Sequence, residues 1–94
     1  MPGFEPLAQA AAKAIGPLLR DSPMSPAKLE LVWKLTVGPA MDRGTFVRLE
    51  GDRLLVEAKT AAWASEVNRA SSLILKRLQA LLGAEVVTEL IVRV

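Results

Sequence analysis

The sequence predicts a two-layer α+β domain with a three-stranded sheet and helices on one face. Three observations carry that prediction. Apolar residues recur at helical spacing on both sides of a central stretch. Within that stretch, from Thr45 to Lys59, the period drops to two. A last alternating run closes the chain at Leu90-Ile91-Val92-Arg93-Val94. The expected order is α-α-β-β-α-β, with residues 1–24 a helical N-terminal segment and 25–94 the body of a single compact domain.

The first helix is expected from Glu5 to Ile15, where Leu7, Ala11, Ala14 and Ile15 share a face, before Gly16-Pro17 breaks it. Asp21-Ser22-Pro23 reads as a loop. The second helix starts with Ser25 as cap and Pro26 at its first position, and Met24 and Leu29 can form a hydrophobic staple. Leu29, Val32, Trp33, Thr36 and Val37 make its buried stripe. Gly38-Pro39 ends that run, and Ala40–Arg43 adds an irregular turn before Gly44.

The next two runs are a hairpin. Gly51-Asp52 is a two-residue turn with glycine first, which sets Leu49 against Leu54 and Val47 against Val56 on one face. Glu50–Arg53, Arg48–Leu55 and Phe46–Glu57 then share the other. The hydrophobic pattern demands the same register as the turn. A long helix follows, capped by Thr60 and ended by Gly83. Trp63, Val67, Ala70, Ile74, Leu78 and Leu81 read as one continuous stripe along it. Glu85–Val94 is expected as a third strand, reached by a crossover that makes it parallel to its neighbour.

Composition narrows the chemistry. The chain has 94 residues, 12 Lys and Arg against 10 Asp and Glu, and 51% hydrophobic residues, the balance of a small globular domain. It has no Cys and no His, which removes thiolate nucleophiles, disulfides, Ser-His-Asp triads and most metal sites. The longest stretch without a charge is seven residues, too short for a membrane span, and the N-terminus lacks a signal-peptide pattern. The expectation is a cytoplasmic binding protein with no cofactor, no metal and no membrane contact.

Several motifs bear on function. Ser25-Pro26-Ala27-Lys28 matches S-x-x-K, but its companion motifs are missing and Ser25 is explained as a cap. Asp21, Asp42 and Asp52 sit at turns, as backbone preference requires. The element order is similar to KH-type nucleic-acid binders, whose clamp is a G-x-x-G loop. Glycines here stand at 3, 16, 38, 44, 51 and 83, and no two are three apart. The open sheet face is expected to present Phe46, Leu55 and Ile91 as an apolar cluster among Arg48, Lys59 and Arg93. Arg69, Lys76 and Arg77 of the long helix are further candidates for phosphate contact. Trp33 and Trp63 read as core residues, and either is an interface anchor if half exposed.

Taken together, these residues resemble a family. Trp33-Lys34-Leu35-Thr36-Val37-Gly38-Pro39 is similar to its W-x-x-V-V-G signature. After it come the strand at Thr45-Phe46-Val47 and the Gly-Asp-x-Leu-x-Val turn and strand at Gly51–Val56. The Trp63-Ala64 pair and Leu-x-x-Leu-Leu-Gly at Leu78–Gly83 complete the pattern. From Leu29 to Val94 the sequence resembles the DciA family, bacterial loaders of the replicative helicase DnaB. The resemblance implies a KH-like domain without the glycine clamp and a non-enzymatic role, binding the helicase and helping to place it on single-stranded DNA. Trp33, Gly38, Trp63 and Gly83 match the family pattern. Phe46, Leu55 and Ile91 join Trp33, Gly38 and Trp63 as candidate partner contacts, and Arg48, Lys59, Arg69, Lys76 and Arg93 are candidate nucleic-acid contacts. Many members carry a long basic extension that this sequence does not show, so protein contact is expected ahead of DNA contact. The alternative is a KH-like binder of single-stranded nucleic acid.

Overall fold

A computed structural model describes residues 23–94. The expected helix at 5–15 and its break at Gly16-Pro17 lie outside them. The described elements are α1 (Pro26–Arg43), β1 (Thr45–Glu50), β2 (Arg53–Ala58), α2 (Ala61–Arg69), α3 (Ser71–Leu82) and β3 (Glu89–Arg93). The sheet order is β1-β2-β3, with β1 antiparallel and β3 parallel to the central β2.

Helix α1 starts as its sequence dictates. The Lys28 amide donates to Ser25 Oγ at 3.1 Å, and Pro26 occupies the first turn, where no intrahelical donor is needed. Leu29, Val32, Trp33, Thr36 and Val37 are all buried. At Gly38 the backbone swings to φ 85, ψ 168, a conformation essentially confined to glycine. Pro39 then starts a last helical piece that ends at Gly44.

The hairpin has the register that turn and pattern both require: Glu50 opposes Arg53, Leu49 opposes Leu54, and Val47 opposes Val56. Gly51 supplies the positive φ, 62°, that the turn demands. Leu54 and Val56 are fully enclosed against Val32, Trp33, Val67, Leu78 and Val87, while Val47, Leu49, Leu90 and Val92 complete that side of the sheet. The three described helices thus cover one face.

Two expectations are corrected. The helix between Thr60 and Gly83 is not continuous: α2 ends and α3 begins at Ala70, which sits at φ −98, ψ 6 with no side-chain cap. Helix α2 packs on β2 and β3, whereas α3 packs on α1 and β3, so one straight rod does not serve both surfaces. The third strand starts at Glu89, not Glu85. Residues 84–86 form a turn, closed by the Val86 amide donating to the Gly83 carbonyl at 3.3 Å. Val87 enters the core, and its carbonyl accepts from Gln79 Nε2 at 2.8 Å. Val94 lies beyond the strand and is exposed.

Candidate partner-binding face

Strand alternation puts Phe46, Arg48 and Glu50 of β1 on the face opposite the helices. Cross-strand pairing extends them into three rows: Phe46–Glu57–Arg93, Arg48–Leu55–Ile91 and Glu50–Arg53–Glu89. The face is therefore chequered with charge around a short apolar middle row. Arg48 pairs with Glu50 at 3.0 Å along its own strand, and Arg53 reaches Glu89 at 3.9 Å. Lys59 lies over the Phe46 ring, its Nζ 4.9 Å from the centroid, a cation–π contact at the sheet corner.

The expected cluster is only partly presented. Phe46 is 62% exposed, but Leu55 is 4% exposed and Ile91 only partly so. A residue on the central strand is flanked on both sides, whereas one on an edge strand is not. Among the apolar residues of this face, exposure is concentrated at Phe46. Of the candidate cations, Arg48, Lys59 and Arg93 lie with it, while Arg69 and Lys76 belong to α2 and α3 in the helical layer. Arg69 is bonded to Glu66 at 3.3 Å. The five do not form one basic track.

The remaining candidates, Trp33, Gly38 and Trp63, each take part in packing. Trp33 is 1% exposed, and its indole N–H donates to Thr45 Oγ1 at 2.9 Å. The same hydroxyl donates to the Met41 carbonyl at 2.7 Å, so one threonine satisfies a buried indole and ties α1 to β1. Gly38 is the buried break in α1. Trp63 is half-buried at the start of α2 and lies against Gly44, where a β-carbon would stand 2.5 Å from Trp63 Cε2 and Nε1. Sequence reasoning treated Gly44 as an ordinary stop, and no spacing signal links it to Trp63 nineteen positions later.

A second feature escaped the sequence reading. Met24, Leu31 and Phe46 are three of the five exposed large hydrophobic residues among those described, and all three border the α1–β1 side. Leu31 lies off the buried stripe of α1, and an apolar residue out of phase with its helix was the available signal.

Among the described residues, no buried side-chain nitrogen or oxygen lacks a partner, and no three His, Cys, Asp or Glu side chains group as a metal site would need. No helix among them is long and apolar enough to cross a membrane. The family model described as "Dna[CI] antecedent, DciA" matches residues 6–92. The chain belongs to the DciA family. The match reaches further towards the N-terminus than the resemblance at Leu29–Val94, and it covers every described element except the end of β3. DciA membership implies a part in loading the DnaB-type helicase during bacterial DNA replication. No curated protein and no solved structure matches the chain.

Proposed function

We propose that this chain is a non-enzymatic, KH-like adaptor that binds the DnaB-type replicative helicase directly, using the sheet corner around Phe46. Membership in DciA supplies the partner, and the observation that carries the surface is Phe46 itself. An aromatic ring 62% exposed on a small domain, with a cation 4.9 Å from its centre, is an amphipathic anchor awaiting a complementary pocket. Ile91 and Arg93 extend the same face. ATP hydrolysis stays with the helicase, and the adaptor contributes recognition and positioning. Direct binding of single-stranded DNA has less support. Arg48 and Arg69 are engaged by carboxylates and Lys59 by a ring, and the formal net charge is only +2.

The test is co-purification of the host replicative helicase by this chain and by Phe46→Asp, each with and without single-stranded DNA. Phe46 is the residue to change because Leu55 is buried, and Leu55→Asp would confound folding with binding. The expected result is at least about a tenfold loss of helicase retention for Phe46→Asp with an unchanged melt, the cost of removing an aromatic anchor. Equal retention by both proteins would discard this corner as the contact.

A further inference from the structure

Strand β1 is an edge strand, and among the described residues nothing pairs with its outer side. The hairpin geometry fixes which groups are left there. Glu50 and Arg53 flank a two-residue turn and form a hydrogen-bonded pair, so bonding alternates back along the strand. The Lys59 amide donating to the Gly44 carbonyl at 2.9 Å keeps the same phase at the far end. The backbone groups of Thr45, Val47 and Leu49 consequently face outward. No proline or bulge blunts this edge. Beside it, α1 and β1 enclose an open groove of about 510 Å³ lined by Leu31, Phe46 and Val47 and by Glu30 and Lys34, neither of which is ion-paired among the described residues.

We propose that this edge is a self-association site: a second copy of the chain pairs β1 to β1, antiparallel, about a twofold at Val47, so that one sheet runs through both copies. Charge selects this arrangement. Side chains facing the same layer must align, which leaves two registers of nearly full overlap. A twofold at Arg48 sets Arg48 against Arg48, like charges directly opposed. A twofold at Val47 sets Val47 against Val47, Thr45 against Leu49, and Phe46 against Arg48 in both directions, bringing a cation to each exposed ring. Leu31, 45% exposed, and the oppositely charged Glu30 and Lys34 line the groove beside this edge. Pairing β1 with the other sheet edge, β3, is head-to-tail and leaves one unpaired edge at each end of the pair.

Sedimentation velocity over about 1 μM to 1 mM, where weak dimers populate, tests this without any helicase present. The wild-type chain is expected to shift from monomer to dimer with concentration. Phe46→Lys opposes two cations, and Arg48→Glu removes the cation from each ring. Each is expected to weaken association by about tenfold or more, since the contact occurs twice per dimer. Both positions are exposed, so melts should stay unchanged. The double variant Phe46→Lys/Arg48→Glu replaces each ring–cation contact with an ion pair and is expected to restore association. A monomer at every concentration overturns the proposal, as do single variants that associate like wild type or a double variant that stays monomeric. Growth beyond a dimer overturns the closed twofold. Because the helicase takes no part, failure here leaves the helicase-binding reading intact, and failure there leaves this one intact.

Discussion

At the residue scale the fold depends on a few close approaches. Trp33 was legible as core from its place on the α1 stripe, but its partner was not. Thr45 lies twelve positions away on a strand, and only packing brings its hydroxyl to the indole. Gly44 is the sharper case. Its φ is −88°, open to any residue, so its glycine is required by space and not by backbone freedom. The Trp63 indole occupies the place where a side chain would start. Gly44→Ala is therefore expected to cost about 1–3 kcal/mol, as overpacking a filled site does. Chemical denaturation reads this directly, and the double variant Gly44→Ala/Trp63→Leu should lose less than the two single changes added together. Additive losses would mean that the indole is not what excludes the methyl. Leu55 shows the converse failure: alternation gave its face correctly, yet alternation carries no information on how deeply a face is covered.

At the element scale, the starts of α1 and α2 were readable, and the break at Ala70 that begins α3 was not. Ser25 and Thr60 accept from the amides three residues on, at 3.1 Å each, as their position before an apolar run requires. The break at Gly38 was announced by Gly-Pro. The break at Ala70 had neither glycine nor proline to announce it, and a continuous stripe ran through it. These breaks should respond differently to substitution. Gly38→Ala forces a β-carbon into φ 85, ψ 168 and is expected to cost about 1–3 kcal/mol. Ser25→Ala and Thr60→Ala each remove one capping acceptor, at about 1 kcal/mol. Thermal melts of the three variants should rank Gly38→Ala lowest. If it melts with the cap variants or above them, the kink is not a strained feature of the native backbone.

At the scale of the whole molecule, the described residues cohere through one apolar layer between the sheet and helices α1, α2 and α3. The ion pairs Arg48–Glu50, Arg53–Glu89 and Arg69–Glu66 are all exposed and add little to it. Raising sodium chloride from about 0.05 to 0.5 M is expected to move the melting temperature by no more than about 5 °C, since exposed pairs are individually weak and screened. A fall well beyond that would show that electrostatics carries part of the fold. The sequence by itself determined the α+β class, the hairpin register, the parallel crossover and the starts of α1 and α2. Each follows from local periodicity or turn chemistry, which a linear reading contains. Tertiary structure alone decided the break at Ala70, the late start of β3, the Gly44–Trp63 approach and which apolar residues of the open face reach solvent. Those outcomes depend on which surfaces meet and how much room is left between them, and neither is encoded in the spacing of residues along a single element.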